Sequence, residues 1–345
     1  MMPPRSEKQR VSWYRVPVDR DELASLLKRS DTLGALQTLG HLGVLAVTGT
    51  LAFEGAERWD WPWPLVTAIV FVHGMCWNFL INGFHELIHD TVFRTRWLNG
   101  FFLRIFSFLG WHNHHLFWTS HTEHHKYTLH PPDDLEVVLP IKLSVRDFLD
   151  SAILNIKGLL IMLRSNIRHA RGQLEGQWEH VLFDENPDKA RQMFNWSRIL
   201  LAGHATIASV ALWMHWWMIV VLVTFAQFYG GWLFFLCNNS QHVGLKDFTD
   251  DFRDSCRTIY LNPVVRFLYW HMNYHTEHHM YLAVPCYRLG RLHRLIKSEL
   301  PACPRGLYAT WKNIAMILAR QKNEPAYQFS PTSAGRRERA PRTTP

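Results

Sequence analysis

His121-Thr122-Glu123-His124-His125 recurs letter for letter as His275-Thr276-Glu277-His278-His279, and a third cluster, His85-Glu-Leu-Ile-His89, lies upstream of both. With 21 histidines in 345 residues, random placement gives roughly 0.08 matches to His-x-x-His-His in the whole chain. Two copies are therefore not an accident of composition. On a helix, positions i, i+3 and i+4 share a face, so each pentad presents three imidazoles in one direction, and His85 and His89 do the same. Eight imidazoles exceed the four ligands that saturate a zinc ion. Two metals fit the count, and an imidazole-rich set suits iron, copper or zinc better than magnesium or calcium. The competing explanation is a solvated face of exposed histidines, which gives no reason for the repeated spacing.

Working outward from the pentads, four apolar runs flank them. Residues 32–53 and 62–83 each approach the ~20 residues that cross a bilayer, and 198–214 with 216–237 form a second pair. The expected fold is all-α: a polytopic membrane protein with four transmembrane helices in two hairpins and a helical cytoplasmic cap holding the histidine boxes. Its divisions are an N-terminal segment 1–31, a membrane domain 32–321 and a disordered basic tail 322–345. No signal peptide is evident in the charged first 30 residues. The loop Glu54–Asp60 is acidic and the turn at His215 nearly uncharged. The net charge of +8 must then sit on the opposite face, with Lys157, Arg164, Arg168 and Arg171, which makes that face cytoplasmic. Trp59, Trp61, Trp63, Trp213, Trp216 and Trp217 mark the other interface. Both termini and all three boxes fall on the cytoplasmic side. Residues 101–118 are expected to lie at the interface and 145–167 to form an amphipathic surface helix. Basic tails beside a membrane fit anionic lipid headgroups, not nucleic acid. The five scattered cysteines lack metal-site spacing and are expected to be structural.

A His-x3-His box after a hydrophobic hairpin, followed by two His-x-x-His-His boxes, resembles the membrane fatty acid desaturase and hydroxylase superfamily over roughly residues 60–300. The resemblance implies two iron ions on the cytoplasmic side, molecular oxygen as co-substrate, and an acyl or other lipidic substrate held by the spans. It also implies an Asn-x3-His ligand motif after the last span, here Asn238-Asn-Ser-Gln-His242. His242 is carried over as a further ligand and Asn238 as an outer-sphere residue. The implied metal set is His85, His89, His121, His124, His125, His242, His275, His278 and His279, with no catalytic side chain beyond it. No His-Pro-Gly-Gly stretch of a fused cytochrome b5 domain occurs. Electrons are expected from a separate donor, of cytochrome b5, ferredoxin or rubredoxin type.

Metal-bound imidazoles usually donate their second nitrogen to a carboxylate or carbonyl. Glu86, Asp133, Asp134 and Glu136 stand near the boxes, and Glu123 and Glu277, equivalent in the two pentads, are the preferred outer-sphere candidates. His112, His114, His115, His130 and His271 are expected to be packed polar residues, as are His41, His73, His204 and His215. The expected function is an oxygen-dependent oxidoreductase, foremost a fatty acid desaturase introducing a double bond into an acyl chain. A hydroxylase or ketolase of a lipid, carotenoid or hydrocarbon on the same scaffold is the alternative. His85-Glu86-Leu-Ile-His89 also matches the zinc metallopeptidase motif, but a peptidase would leave both pentads unused.

Overall fold

The computed structural model describes residues 10–332. Of the tail 322–345 expected to be disordered, residues 333–345 lie outside the described residues, as do residues 1–9. Helix α1 (Arg20–Leu26) starts at Asp19, whose carboxylate accepts from two first-turn amides. Helix α2 (Asp31–Glu57) is capped by the Ser30 hydroxyl. Pro62 leads into α3 (Trp63–Trp77), and α4 (Leu80–Ile88) follows after a turn at Asn78 and Phe79. Together α3 and α4 make one 26-residue apolar rod, Trp63–Ile88. This rod and α2 pack as a hairpin, and among the described residues they are the two helices long and apolar enough to cross a membrane.

Helix α5 (Arg96–Leu109) folds back along α4, and α6 (His114–Tyr127) starts at Asn113, whose side chain accepts from His115 and Leu116. The stretch 101–118 is thus the end of one helix, a turn, and the start of another. The amphipathic stretch 145–167 is likewise two helices, α7 (Val145–Ala152) and α8 (Ile156–Ala170). Ile153 at the junction and Ile156, Leu160 and Ile161 on α8 all stand exposed. Helix α9 (Gly176–Phe183) leads to α10 (Pro187–Trp213), which packs on α8 and α6.

The run 216–237, expected to be a single helix, is broken. A short α11 (Trp217–Ile219) widens into a π turn over Val220–Thr224, tightens into a 3-10 turn over Ala226–Phe228, and stops before α12 (Trp232–Asn238). The break has identifiable partners. His73 Nε2 meets the Leu222 carbonyl at 2.9 Å, Trp111 Nε1 donates to Thr224 at 2.8 Å, and Asn78 Nδ2 donates to Tyr229 at 2.9 Å. The α7–α8 junction completes the set, with Gly230 donating to Ile153, Gly231 to Ser151, and Asn155 to Phe228. Carbonyls freed from a helix ladder are costly unless re-bonded. Here residues from three other segments re-bond them, which no local sequence pattern could announce.

Gly230 has a φ of +67°, and a Cβ there would fall 2.7 Å from the Phe71 carbonyl and 2.8 Å from the Met75 amide. Gly230→Ala is expected to cost roughly 1–3 kcal/mol from the left-handed conformation alone, and more from the backbone clash. In α2, Gly43 has open space around it, so Gly43→Ala should be neutral or slightly stabilising by helix propensity. Thermal unfolding in detergent checks the pair, and equal midpoints would refute this account of the break.

The remaining elements build the cap: α13 (Phe252–Ser255), α14 (Pro263–Leu268), α15 (His275–Met280), α16 (Cys286–Ile296) and α17 (Gly306–Asn323). The described residues contain no extended strand, only isolated bridges. After α17 the chain lies along the cap: Phe329 donates to the Gly244 carbonyl, and Thr332 bonds the Asp254 carboxylate. Phe79, Leu80, Phe84, Phe106, Tyr269 and Trp270 are fully buried and join the cap to the apolar hairpin. Box-bearing helices are therefore anchored to the core on one side.

Candidate metal centre

Three short helical stretches converge. Helix α4 brings His85, with His89 at its C-terminal end; α6 brings the first pentad in its last turns; α15 consists almost entirely of the second. The loop after α12 adds His242. The ligand atoms gather in two groups. His85, His89, His121, His125 and His278 form the first, and His242, Cys256, His275 and His279 the second, all within 4.8 Å of one another in each group.

The nitrogens face each other. In the first group Nε2 of His85 stands 3.0 Å from that of His278 and 3.1 Å from that of His121, which is 2.8 Å from that of His125. In the second, His275 Nε2 is 2.9 Å from that of His242 and 3.1 Å from that of His279. Around a metal with bonds of about 2.1 Å, cis nitrogens of a square-based or octahedral set lie about 3.0 Å apart, and tetrahedral ones about 3.4 Å. Spacing and ligand number both favour the former in the first group. Such sets belong to iron-like metals better than to four-coordinate zinc.

Hydrogen bonds at the outer nitrogens fix which nitrogen is bare. The Ser255 carbonyl can only accept, so His242 Nδ1 carries the proton at 2.7 Å and its Nε2 lone pair faces the group. His121 Nδ1 sits 2.8 Å from Glu136, and His124 Nδ1 sits 2.8 Å from Asp134. His278 Nδ1 is 3.3 Å from the buried Glu86 carboxylate. His89 Nε2 is buried and has no protein partner, as expected of an atom whose partner is a metal. Burial, reinforced by neighbouring imidazoles, holds His121, His125, His275, His278 and His279 well below the usual histidine pKa, and His242 at about 3. They are neutral, with lone pairs to give. For His124, burial also works against the charge, but the Asp134 carboxylate more than offsets it and raises the pKa. The donor set fits a metal pair.

The two pentads contribute alike at their outer positions. The outer residues His121 and His125 join the first group, while His275 and His279 join the second. At the i+3 position His278 crosses into the first group, whereas His124, an expected ligand, belongs to neither group; its ring stands beside His242 and His279, with centroids 5.3 and 5.1 Å away.

Among the expected outer-sphere residues, the structure redistributes roles. Glu277 is fully buried but turns away from the imidazole groups, accepting from Thr258 and bonding His293. Glu123 pairs with Lys126 at 2.9 Å. The carboxylates that reach box imidazoles are instead Asp134, Glu136 and Glu86, because the helical turn that aims the histidines inward points the pentad glutamates elsewhere. Asn238 lies in the last turn of α12, half-buried, four residues before His242. Cys256, expected to be merely structural, has its sulfur in the second group. No spacing signal could have found it, since its neighbours come from two other segments. Among the histidines expected to be packed, His41 bonds Cys76 and Trp270, His204 bonds Phe108, and His130 bonds its own turn, whereas His112 Nε2 is buried without a protein partner. Phe79 and Leu80, on the membrane hairpin, are packed into the core and line no open space. An apolar cavity of about 360 Å³ lies instead among Leu42, Leu45, Phe53, Trp77, Leu222 and Val223.

The fatty acid desaturase family model matches residues 61–311, which takes in all three boxes and His242. A search of curated proteins finds no match.

Proposed function

The chain belongs to the fatty acid desaturase family, the membrane fatty acid desaturase and hydroxylase superfamily, and from that premise we propose that it is an oxygen-dependent fatty acid desaturase holding two iron ions. The observation that carries the proposal is the pair of adjacent imidazole groups whose bare nitrogens stand 2.8–3.1 Å apart. His85, His89, His121, His125 and His278 would hold one iron; His124, His242, His275 and His279 the other. Iron bound there supplies oxygen activation strong enough to take hydrogen from an unactivated carbon. Asp134, Glu136, Glu86 and the Ser255 carbonyl hold the imidazoles in orientation, and burial keeps water from the site. Five imidazoles in one group leave the zinc peptidase alternative without a place for its open position.

We place the protein in the membrane with four crossings. Helix α2 and the α3–α4 rod make one hairpin, and the second half of α10 with the broken 217–238 segment makes the other. Their far ends meet through aromatic contacts, Trp63 with Trp217 and Phe53 with Trp216, as interfacial aromatics do. Exposed Ile199, Val210, Leu212 and Trp213 on α10 fit a lipid-facing surface. The metal centre and the basic α8 then lie on the cytoplasmic side, and the apolar cavity within the bundle suits a lipidic chain.

Lipid mass spectrometry on cells expressing the wild type beside His278→Ala tests the activity. The expected product lacks two hydrogens and is absent with the variant. A product with one added oxygen would assign a hydroxylase, and unchanged acyl lipids would end the fatty-acid assignment.

A further inference from the structure

Residues 10–16 cross the cap over the ends of two boxes. Trp13 Nε1 donates to the Lys126 carbonyl at 2.9 Å and Arg15 Nε to the Met280 carbonyl at 2.7 Å. The Tyr14 amide donates to Asp250, and Val16 accepts from the Tyr281 hydroxyl. Under this strap opens a cavity of about 680 Å³ whose lining includes Arg10, Ser12, Trp13, Arg15, His125 and Lys126. Two features of the cavity bear on the metals. His125 is half-buried and lines the cavity, so a residue of the first group reaches its wall. Trp13, also half-buried, stacks on Phe252 at 4.1 Å, and the Phe252 ring lies 5.4 Å from that of His279 in the second group. Both groups therefore reach one surface patch through one or two rings.

The patch is cationic. Among the described residues, Arg10, Arg15 and Lys126 line it and no carboxylate does. Lys126 is paired with Glu123 at 2.9 Å. Its polar walls do not suit an acyl chain, for which the apolar cavity in the bundle provides better surface.

Resting on the oxidase reading above, we propose that the strap and its cavity are the docking seat of an acidic one-electron carrier protein. Electrons enter through His125 and through the Trp13–Phe252 stack. The balance requires such a partner. Reduction of O2 to two waters takes four electrons and four protons; desaturation supplies two of each from the substrate. The carrier gives the other two electrons in two successive one-electron encounters, each oxidising it by one, and solvent gives two protons. Hydroxylation needs the same two external electrons. Opposite charges at such a seat steer encounter and raise its rate at low salt.

The test is stopped-flow reduction of the iron-loaded full chain by a reduced acidic [2Fe–2S] ferredoxin, beside reduction by dithionite. In Arg10→Glu/Lys126→Glu the ferredoxin-driven rate is expected to fall by about tenfold or more at low ionic strength, with the dithionite rate and iron content within twofold of wild type. The wild-type ferredoxin rate should fall with added salt and approach the variant's, because charges beyond about 10 Å are screened at 0.1 M. Equal slowing with both reductants would assign the residues to structure and overturn the proposal. So would an unchanged ferredoxin rate, or a raised KM for acyl substrate with the ferredoxin rate unchanged, which would give the patch to an anionic headgroup. A wild-type chain holding no iron that dithionite reduces would instead overturn the oxidase reading itself.

Discussion

Replacing His278 with alanine is expected to lower bound iron from about two per chain toward one and to reduce turnover by well over a hundredfold, beyond the 10–100-fold that outer-sphere substitutions cost. The expectation follows from where this residue goes, not from its place in the sequence. It belongs to the third box, yet its Nε2 stands 3.0 Å from that of His85, in the first group. Removing it takes away a lone pair facing the His85 nitrogen. It also strips the fully buried Glu86 carboxylate of its nearest imidazole, 3.3 Å away. Some loss of stability should accompany the loss of metal, because deleting a fully buried ring leaves a cavity beside the Glu86 carboxyl, whose pKa burial already holds well above the usual carboxylate range. A stability loss alone cannot mimic the result if His204→Ala is measured in parallel. His204 is also buried, stacked between Phe108 and Trp111, but bonds only a backbone carbonyl. That variant should lose stability and keep both irons per folded chain. Iron per chain by elemental analysis, on protein recovered as a monodisperse fraction, separates the cases. Full iron and near-normal turnover in His278→Ala would remove this residue from the centre and with it the crossed use of the two pentads.

How much of this was legible beforehand depends on the range of the forces involved. The pentads announce themselves because imidazoles at i, i+3 and i+4 need only a local helix to share a face, and α6 and α15 supply it. The hairpin of α2 with α3–α4 is legible for the same reason: a long apolar run has few alternatives. What failed to show is what depends on distant partners. The break at 220–231 exists because His73, Trp111, Asn78 and the α7–α8 junction take up its carbonyls and amides. Cys256 reaches the second group only because α13 packs against α15. The equivalence of Glu123 and Glu277 in the sequence is real, but one ends at the surface with Lys126 and the other inside with His293. Equal letters at equal register give equal direction from the helix. They do not give equal surroundings.

Asp134 carries the second large expectation. It is fully buried in the loop after α6, where Oδ2 accepts from His124 Nδ1 and the Leu129 amide, both at 2.8 Å, and Oδ1 accepts from the Glu136 amide at 2.9 Å. One carboxylate thus orients the His124 imidazole and folds the loop that returns Glu136 to His121. Its pKa stays low despite burial, which alone would raise it, because the His124 ring and the two amides favour the charged form. Asp134→Ala leaves three buried donors without an acceptor and is expected to cost about 3–5 kcal/mol, the range for breaking one side of a buried pair. Asp134→Asn keeps the shape but can satisfy only part of the set, since its amide would confront an N–H. It is expected to fold, to lose about 10–100-fold in metal affinity, and to lose it preferentially at the second position, where His124 lies beside His242 and His279. The conservative variant is therefore the sharper probe. Competition with a chelator, followed by iron counting, should show one iron leaving well before the other in Asp134→Asn and the two leaving closer together in the wild type. If both irons in Asp134→Asn resist the chelator as in wild type, the carboxylate serves the loop alone, and His124 is oriented by something other than its shortest hydrogen bond.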